Sequence, residues 1–295
     1  MKIAVVTGAA GGMGRAIVAR LLQDGFQVAG VDLDAAGLQD MAEKHGTGFV
    51  ALPADLTDAT AVAALFETLA GRFGGVDALV NNAGTCLMSD FPNIPAAELH
   101  RQMNVNFYSA FHCCQAAVPQ MLRREGVKKI VNISSNGAYN FDVFDPPHYR
   151  ASKAAMDTLT KDLARRYARD RICVNSIAPA MTETPLFGVL TPDVLDRAIA
   201  AMPHGHAMQP AEIAAWAGFL ISPAGDISSG NVIILNQGRD VRCSRDAVTG
   251  ASRGSSEGRP APSSGWPMVP DTVRHRLADR SPLDVARRNA HDALP

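Results

Sequence analysis

The sequence lacks the features that mark membrane, secreted and nucleic-acid-binding proteins. No apolar run approaches the ~20 residues of a membrane-spanning helix, and the apolar run at 3–6 is shorter than the roughly 7–15 residues of a secretory leader. The 28 Lys and Arg residues nearly balance the 29 Asp and Glu residues, giving a net charge of −1. No charged surface for nucleic acid or an anionic membrane is therefore expected. These absences favour a globular protein of the cytoplasm.

Cysteine is also scarce. The five cysteines are odd in number and show neither C-x-x-C nor Cys/His spacing, so they predict neither a disulfide framework nor a metal site. They are Cys86, Cys113, Cys114, Cys173 and Cys243. We therefore expect reduced thiols.

What the chain does contain is an alternation of short apolar runs with longer amphipathic stretches. The predicted strands are 3–6, 27–31, 48–52, 78–80, 129–133, 172–177 and 231–235. The predicted helices are 13–23, 35–43, 59–72, 96–123, 149–168 and 211–220. Nearly continuous apolar strands are typical of strands covered on both faces. Their alternation with helices predicts an α/β fold with a parallel, doubly wound sheet.

The composition changes after about residue 242. Residues 243–295 are rich in Ser, Gly, Pro and Arg and contain no Lys, so they can bury too little apolar surface to offset the entropy of ordering. We expect a single domain at 1–242 and a poorly ordered C-terminal extension at 243–295. A partner-binding arm is the alternative for the extension.

A glycine-rich turn follows the first predicted strand and opens the first predicted helix. Its sequence, Thr7-Gly8-Ala9-Ala10-Gly11-Gly12-Met13-Gly14, has G-x-x-x-G-x-G spacing. Glycine lets a pyrophosphate approach the backbone closely, and the amino end of a helix offers unpaired N–H groups with partial positive charge. The turn therefore predicts a dinucleotide-binding site.

Acidic residues after the next two strands bear on which dinucleotide is bound. Asp32 lies 18 residues past Gly14, where a carboxylate accepts hydrogen bonds from ribose hydroxyls and repels a 2′-phosphate. Gly11 occupies a turn position where a basic residue could offset that repulsion, so NAD is favoured over NADP. Capping the next helix is the alternative for Asp32, and Asp34 could fill that role equally well. Asp55 is expected either to meet the adenine edge or to start a helix.

A tyrosine and a lysine share one face of a predicted helix. Tyr149 and Lys153 stand at i and i+4, and a neighbouring cation lowers the pKa of a phenol from its ordinary value near ~10. Ser135 ends the fifth predicted strand 14 residues before Tyr149. Ligands collect at the carboxyl ends of strands in open α/β sheets. These residues therefore predict an acid/base site facing one crevice.

In their order along the chain, these motifs resemble the short-chain dehydrogenase/reductase family over about residues 1–240. The matching motifs are Thr7-Gly8-x-x-x-Gly12-x-Gly14, Asn81-Asn82-Ala83-Gly84, Asn106, Ser135 and Tyr149-x-x-x-Lys153. The resemblance implies a Rossmann-like sheet of seven strands in one dinucleotide-binding catalytic domain. It also implies an NAD-dependent oxidoreductase that interconverts a secondary alcohol and a ketone by hydride transfer.

The resemblance implies a role for each matching residue. Tyr149 exchanges a proton with the substrate oxygen, and Ser135, rather than its neighbour Ser134, orients that oxygen. Lys153 binds the nicotinamide ribose and lowers the pKa of Tyr149, and Asn106 holds a water that relays protons from Lys153. The other implied cofactor-binding residues are Gly8, Gly12, Met13, Gly14, Asp32, Asp55, Leu56, Asn82, Ala83, Gly84, Pro179, Thr182 and Thr184.

The chain departs from the family pattern twice. Pro179-Ala180 stands where the family has Pro-Gly, and Asn236-Gln237-Gly238 stands where it often has Asp-Gly-Gly. The alanine methyl either narrows the nicotinamide pocket or has no effect. The second departure leaves open how the C-terminal part contributes to the pocket.

The substrate is expected to be a small apolar alcohol or ketone, with cyclic and aromatic compounds as candidates. The stretch 181–208 is predicted to form a mobile lid. The apolar residues behind this expectation are Tyr139, Phe141, Phe144, Pro146, Pro147, Leu186, Phe187, Val189 and Leu190. The alternative is that these side chains pack on one another and carry no information about a ligand.

Two other functions remain open from the sequence. A sugar-nucleotide epimerase or dehydratase also uses Tyr-x-x-x-Lys, but the glycine spacing and Asn81-Asn82-Ala83-Gly84 are against it. A non-catalytic regulator that senses dinucleotide would have little need for the four residues Asn106, Ser135, Tyr149 and Lys153. In relatives the helices corresponding to 96–123 and 149–168 pair between subunits, so a homodimer or homotetramer is expected.

Overall fold

Seven strands form one parallel sheet. The computed structural model describes residues 2–140 and 145–240. Within them the strands are β1 (Ile3–Thr7), β2 (Gln27–Asp32), β3 (Phe49–Pro53), β4 (Ala78–Asn81), β5 (Lys128–Ile133), β6 (Ile172–Pro179) and β7 (Val232–Leu235). They lie in the order β3-β2-β1-β4-β5-β6-β7, and every neighbouring pair is parallel. The predicted doubly wound, Rossmann-like α/β fold is confirmed.

Helices cover both faces of this sheet. They are α1 (Gly12–Gln23), α2 (Ala35–His45), α3 (Ala59–Phe73), α4 (Ala96–Met103), α5 (Ser109–Met121), α6 (Pro147–Arg166), α7 (Pro192–Ala200) and α8 (Pro210–Ile221). Side chains of α1, α2 and α8 form one buried cluster with Ala4 and Val6 of β1. Ile3 and Val5 point to the opposite cluster, which α3, α5 and α6 complete. This alternation explains why the strands are apolar at every position.

Several strands extend past the end of their apolar run. β1 continues to Thr7, β2 to Asp32 and β4 to Asn81, each one residue beyond the predicted end. The backbone ladder continues there because pairing does not depend on the side chain, as in the register pair Asn81 with Asn132. Polar residues are thereby fixed on the carboxyl edge of the sheet. The strand order also reverses between β1 and β4, which opens a crevice at this edge.

Two helical features were not predicted from the sequence. The stretch 96–123, predicted as one helix, is α4 and α5 joined by a π-helical turn over Asn104–Tyr108. The predicted lid at 181–208 contains a 3₁₀ turn (Pro185–Val189) and α7. Thr191 at the N-cap followed by Pro192 is the signal that could have identified α7.

The predicted extension at 243–295 lies outside the described residues. In the parts of the chain that the structure does describe, no helix combines the length and apolarity needed to cross a membrane.

The turn between β1 and α1 is bound to the end of β4. Thr7 Oγ1 accepts hydrogen bonds from the backbone N–H of Asn82 (2.9 Å) and of Ala83 (3.0 Å). Asn82 Nδ2 donates to the carbonyls of Thr7 and Gly8, both at 3.0 Å. Gly8 has a φ of +62°, and a Cβ there would lie 2.8 Å from Ala83 Cα. Both the backbone conformation and the close approach therefore require glycine.

We expect Gly8→Ala to destabilise the fold more than Gly74→Ala. Gly74 ends α3 in the left-handed region with a φ of +73°, and a Cβ there would make only an ordinary contact, 3.6 Å from Arg124 Nη1. Both variants carry the cost of a left-handed alanine, roughly 1–2 kcal/mol. Gly8→Ala adds an overlap with backbone, which costs about 1–3 kcal/mol more. Urea denaturation of both variants measures the difference, and equal losses of unfolding free energy would contradict the close packing at Gly8.

Candidate active site

Two adjoining cavities open at the carboxyl edge of the sheet. The first, called here the glycine-turn cavity, contains about 1310 Å³ of empty space. Ten predicted cofactor-binding residues line it: Gly8, Gly12, Met13, Gly14, Asp32, Leu56, Asn82, Ala83, Gly84 and Thr184. The second, called here the tyrosine cavity, contains about 890 Å³ and is lined by Ser135, Tyr149, Pro179 and Thr182 among others. Met13 and Thr184 line both cavities, so the two share a wall.

The glycine-turn cavity offers backbone N–H groups to an anion. Gly11 is the N-cap of α1 and supplies no side-chain cap, so the N–H groups of the first turn have no side-chain acceptor. A Cβ on Gly14 would overlap the Gly8 carbonyl, and a Cβ on Gly12 would lie 3.1 Å from Pro185 Cδ. The backbone of the turn can therefore take this path only because these glycines have no side chains, and it leaves the room that a pyrophosphate site requires.

Asp32 supports the turn and faces the glycine-turn cavity. Its Oδ2 accepts a hydrogen bond from Ala10 N at 2.9 Å, and its Oδ1 accepts one from Asp34 N at 3.1 Å. Helix α2 is capped instead by Asp34, which accepts from Gly37 N at 2.9 Å. The capping role considered for Asp32 thus belongs to Asp34, and the Asp32 carboxylate remains half-buried at the cavity wall.

Asp55 is not among the residues that line either cavity, and its predicted contact with adenine stays a prediction. Its exposed carboxylate accepts from the backbone N–H and the hydroxyl of Thr57, at 2.9 Å and 2.7 Å. Asp58 caps α3, so Asp55 does not start that helix. At this point of the chain, Leu56 and Thr57 line the glycine-turn cavity.

The structure brings Ser135 and Tyr149 together and places Lys153 behind them. Ser135 and Tyr149 line the same cavity, and their side chains are close enough to interact. Lys153 is buried, donates from Nζ to the Ile133 carbonyl at 2.8 Å, and lies 6.0 Å from the centre of the Tyr149 ring. A Cβ on Gly84 would lie 3.3 Å from this Nζ, so glycine there leaves the ammonium open toward the glycine-turn cavity.

The pKa of Tyr149 is raised, not lowered. Burial is the largest cause, the charge of Asp145 adds to it, and the hydrogen bond with Ser135 acts in the opposite direction. Burial also lowers the pKa of Lys153 to about 8, against the opposing charges of Asp157 and Cys86. Burial therefore sets the direction of the Tyr149 pKa in the protein alone, and a lowering by Lys153 stays a prediction. Desolvation of the phenol outweighs an ammonium that faces a carbonyl rather than the phenol oxygen.

Asn106 sits inside the π-helical turn, fully buried. Its Nδ2 donates to the Thr85 carbonyl (2.9 Å) and to Ser152 Oγ (3.0 Å), and its Oδ1 accepts from Thr85 N (2.8 Å). Asn106 thus anchors the segment after β4 to α6, and lies next to Lys153 across Gly84. Single π turns inside α-helices are frequent at functional sites. Its role in holding a relay water stays a prediction.

A buried carboxylate behind the site was missed by the sequence analysis. Asp157 accepts hydrogen bonds from the hydroxyls of Ser134 (2.8 Å), Tyr139 (2.9 Å) and Ser176 (2.6 Å). Ser134 therefore turns its hydroxyl to Asp157, which leaves Ser135 as the serine beside Tyr149. Tyr139, assigned to the substrate pocket from the sequence, instead bonds Asp157. The i+4 spacing from Lys153 to Asp157 was the available signal.

The tyrosine cavity is mostly apolar. Phe187 and Leu190, two of the residues predicted for the substrate pocket, line it together with Met13, Met88, Met181 and Ala180. Of the others predicted there, Phe141 and Phe144 and the side chains of Leu186 and Val189 lie outside the described residues. Cys86, Asp145 and Arg239 also line the cavity and were not predicted. Burial raises the pKa of the Cys86 thiol to about 12.

The second departure from the family pattern fixes the end of the lid. Gln237 Oε1 accepts from His204 N at 3.0 Å, and its Nε2 donates to the His206 carbonyl at 3.2 Å. The two ends of the lid are joined to each other, because Met208 N donates to the Met181 carbonyl at 2.8 Å. These hydrogen bonds hold the two ends of the segment in place, and α7 lies between those ends. The glutamine replaces a family glycine with two specific hydrogen bonds.

Comparison with known proteins gives consistent matches over most of the chain. A family model described as enoyl-(acyl carrier protein) reductase matches residues 8–240. The 2,3-dihydroxy-2,3-dihydro-p-cumate dehydrogenase of Pseudomonas putida is 32% identical over 244 residues, which are 80% of this chain and 93% of that protein. The 3-oxoacyl-(acyl-carrier-protein) reductase of Staphylococcus aureus is 33% identical over 248 residues, covering 80% and 97%.

Solved structures match the same region. The 3-ketoacyl-(acyl-carrier-protein) reductase from Brucella melitensis, complexed with NADH, superposes with a TM-score of 0.76 at 27% identity. The match covers 81% of this chain and 98% of that chain. A short-chain dehydrogenase/reductase structure from Burkholderia xenovorans superposes with the same TM-score at 30% identity, covering 82% and 97%. The fold is thus shared with these proteins.

Lys153 is expected to make stability depend on pH. Its pKa is about 8 in the folded protein and 10.5 in an ordinary lysine, so between these values the unfolded chain binds more protons. Its contribution to the free energy of unfolding therefore rises as pH increases from about 8 to 10.5. Urea denaturation from pH 7 to 10 should show a steeper rise for the wild type than for Lys153→Met. The control is Lys161→Met, an exposed lysine of α6, and parallel curves for all three proteins would contradict the buried charge.

Proposed function

The chain belongs to the short-chain dehydrogenase/reductase family, and on that premise we propose that it is an NAD-dependent enzyme that interconverts a secondary alcohol and a ketone. One observation carries the proposal: Ser135 and Tyr149 line a cavity that shares the wall of Met13 and Thr184 with the glycine-turn cavity. A substrate oxygen at Tyr149 therefore lies beside the place where a dinucleotide would end. We assign the activity to residues 1–242.

The residues of the glycine-turn cavity fit a nicotinamide dinucleotide. The open amino end of α1 would hold the pyrophosphate, and Asp32 would accept hydrogen bonds from the adenosine ribose. Lys153, whose ammonium is open toward Gly84, would bind the nicotinamide ribose. The remaining contacts would come from Leu56, Asn82, Ala83, Tyr149, Pro179, Thr182 and Thr184. When bound, the dinucleotide exchanges hydride at C4 of its nicotinamide and, when oxidised, carries a positive ring charge.

Tyr149 exchanges the proton. In the oxidative direction its phenolate oxygen takes the hydroxyl proton of the substrate. Ser135 orients the substrate oxygen by a hydrogen bond. Because burial raises the pKa of Tyr149, the phenolate needs positive charge nearby, which Lys153 supplies in its protonated form. Asn106 holds the segment beside Lys153 in place, and we assign to it the water through which the proton leaves.

A negative charge at the wall of the glycine-turn cavity favours NAD over NADP. The Asp32 carboxylate is at the wall and receives its hydrogen bonds from backbone N–H groups of Ala10 and Asp34. A 2′-phosphate at this point would face a like charge. Arg15, at the outer end of the turn, donates from Nε to the Ala10 carbonyl at 2.8 Å, so its guanidinium is already hydrogen-bonded to backbone.

Neither alternative function is favoured. The matching relatives are named as dehydrogenases and reductases, which gives no support to an epimerase or dehydratase. Ser135 and Tyr149 line one cavity with Lys153 and Asn106 buried close by, which likewise gives no support to a dinucleotide-sensing regulator. A cyclic apolar substrate fits the thioether and aromatic lining of the tyrosine cavity, and one relative is named for a cyclic diol, dihydroxy-dihydro-p-cumate.

We also propose a cytoplasmic homodimer or homotetramer. Cys86, Cys113, Cys114 and Cys173 are buried free thiols, as expected for a reducing compartment. Tyr108 and Phe111 expose aromatic surface beside and on α5, 44% and 41% accessible. Trp216 and Phe219 do the same on α8. Exposed aromatic side chains that share a helix are typical of subunit contacts.

Tyr149→Phe should abolish turnover while leaving dinucleotide binding intact. Removal of the acid/base hydroxyl is expected to lower kcat by roughly 10²–10⁴-fold. Initial rates of NADH formation on a panel of cyclic and aromatic secondary alcohols measure the loss, and fluorescence titration measures NADH affinity. Tyr108→Phe, at an exposed tyrosine, is the control. A Tyr149→Phe enzyme that kept most of its rate would refute the proposed role.

Asp32→Asn should shift cofactor preference toward NADP. Removing the carboxylate charge removes repulsion of a 2′-phosphate, so the ratio of kcat/KM for NADP to that for NAD should rise by about tenfold or more. Both cofactors are compared at equal concentration and fixed alcohol. Asp58→Asn, which changes a helix cap away from the cavity, controls for general effects. A wild-type enzyme that already prefers NADP would show that the assignment of Asp32 is wrong.

A further inference from the structure

A half-buried carboxyl group lines the tyrosine cavity without a part in the mechanism above. It belongs to Asp145, which Pro146 separates from α6 and which lies four residues before Tyr149. Its Oδ2 packs against Gly137, where a Cβ would overlap the carboxylate oxygen. The same Cβ position lies 3.2 Å from Ser135 Oγ. The carboxylate and the serine hydroxyl are therefore near neighbours on the cavity wall, beside the place assigned to the substrate oxygen.

Within residues 2–140 and 145–240, no side chain or backbone group donates a hydrogen bond to the Asp145 carboxylate. Arg150 donates from Nε to the backbone carbonyl of Asp145 at 2.8 Å, and its charge acts on the carboxylate from that side. Burial raises the pKa of Asp145, and its charge in turn raises the pKa of Tyr149 and of Cys86. The carboxylate is half-buried and faces the cavity. A ligand that brings a donor to this point would therefore gain a charge-assisted hydrogen bond.

The surroundings indicate a hydroxyl group as that donor rather than a cation. Arg239 lines the same cavity, so a positively charged substrate group would meet a like charge. The rest of the wall is apolar, with Met88, Met181 and Phe187 suited to a hydrocarbon ring or chain. A neutral molecule with one oxygen at Ser135 and Tyr149 can place a second oxygen at Asp145. Because Asp145 Oδ2 and Ser135 Oγ both lie close to one position at Gly137, a hydroxyl on the carbon next to the reacting one is suited to reach Asp145.

We propose that Asp145 binds a second hydroxyl group of the substrate, on the carbon next to the one that reacts, and thereby selects vicinal diols over simple secondary alcohols. This inference rests on the proposed function. Asp145 accepts a hydrogen bond and exchanges no proton in the reaction. The reacting hydroxyl gives its proton to Tyr149 and its carbon gives hydride to the oxidised nicotinamide. The product is then an α-hydroxy ketone whose remaining hydroxyl stays on Asp145.

The test compares 1-indanol with cis- and trans-1,2-indanediol, which share a ring system and differ by one hydroxyl. For the wild type, kcat/KM with NAD should be at least about tenfold higher for one diol isomer than for 1-indanol, as expected for a hydrogen bond to a charged acceptor. Asp145→Asn keeps the shape and removes the charge, and Asp145→Ala removes the acceptor. Both variants should lower the ratio of kcat/KM for the preferred diol to kcat/KM for 1-indanol by about tenfold or more. Asp196→Asn, on the exposed side of α7, should leave the ratio at the wild-type value.

If kcat/KM of the wild type for both diol isomers were close to that for 1-indanol, the inference would be overturned. Equal losses for diol and alcohol in the Asp145 variants would also overturn it, because Asp145 would then act on Tyr149 or on the fold. A second readout separates this failure from failure of the proposed function. In the Tyr149→Phe background with NAD bound, calorimetry should show about tenfold weaker diol binding after Asp145→Asn. If the wild type oxidised none of the three alcohols, the proposed function would fail, while this affinity comparison would still decide the role of Asp145.

Discussion

The close approach of the β1–α1 turn to the end of β4 is the constraint on which the site depends. Thr7 and Asn82 exchange hydrogen bonds across the point where the strand order reverses, and Gly8 packs directly against Ala83. The contact fixes the amino end of α1 at the mouth of the crevice. Without it, the open N–H groups of that helix and the segment after β4 would not face the same cavity. A few backbone contacts at glycine therefore define where an anionic cofactor can lie.

Burial sets the chemistry of the reacting groups. Tyr149 and Lys153 are both desolvated, which disfavours phenolate and ammonium alike. The neighbouring carboxylates act differently on the two groups: Asp157, behind Lys153, opposes the effect of burial and favours the ammonium, whereas Asp145, beside Tyr149, adds to the effect of burial and disfavours the phenolate. The protein alone therefore favours Tyr149 as the neutral phenol, and the phenolate of the proposed reaction would require added positive charge.

The wall of the tyrosine cavity is built by segments with little regular structure. The lid is tied at Met181 and Met208 and again through Gln237, and it brings Thr184 and Pro185 against the glycine turn. The lid also contributes Phe187 and Leu190 to the cavity. Specificity would then come from loops on a rigid sheet, as is common for binding sites. A rigid sheet with variable loops is consistent with relatives whose names give different substrates, a 3-oxoacyl-(acyl-carrier-protein) reductase and a 2,3-dihydroxy-2,3-dihydro-p-cumate dehydrogenase.

The sequence by itself determined the sheet, the glycine turn, and the association of Ser135 and Tyr149, because each depends on local patterns: continuous apolar runs, missing side chains, and fixed i,i+4 spacing. It could not reveal that Asp34 rather than Asp32 caps α2, or that Tyr139 bonds Asp157, since one pattern allows several partners. The π turn at Asn106 interrupts a helix whose periodicity is unbroken, so no local signal marks it. The direction of the Tyr149 pKa shift and the position of Asp145 were decided only by tertiary structure, because desolvation and cavity shape depend on segments distant in the chain.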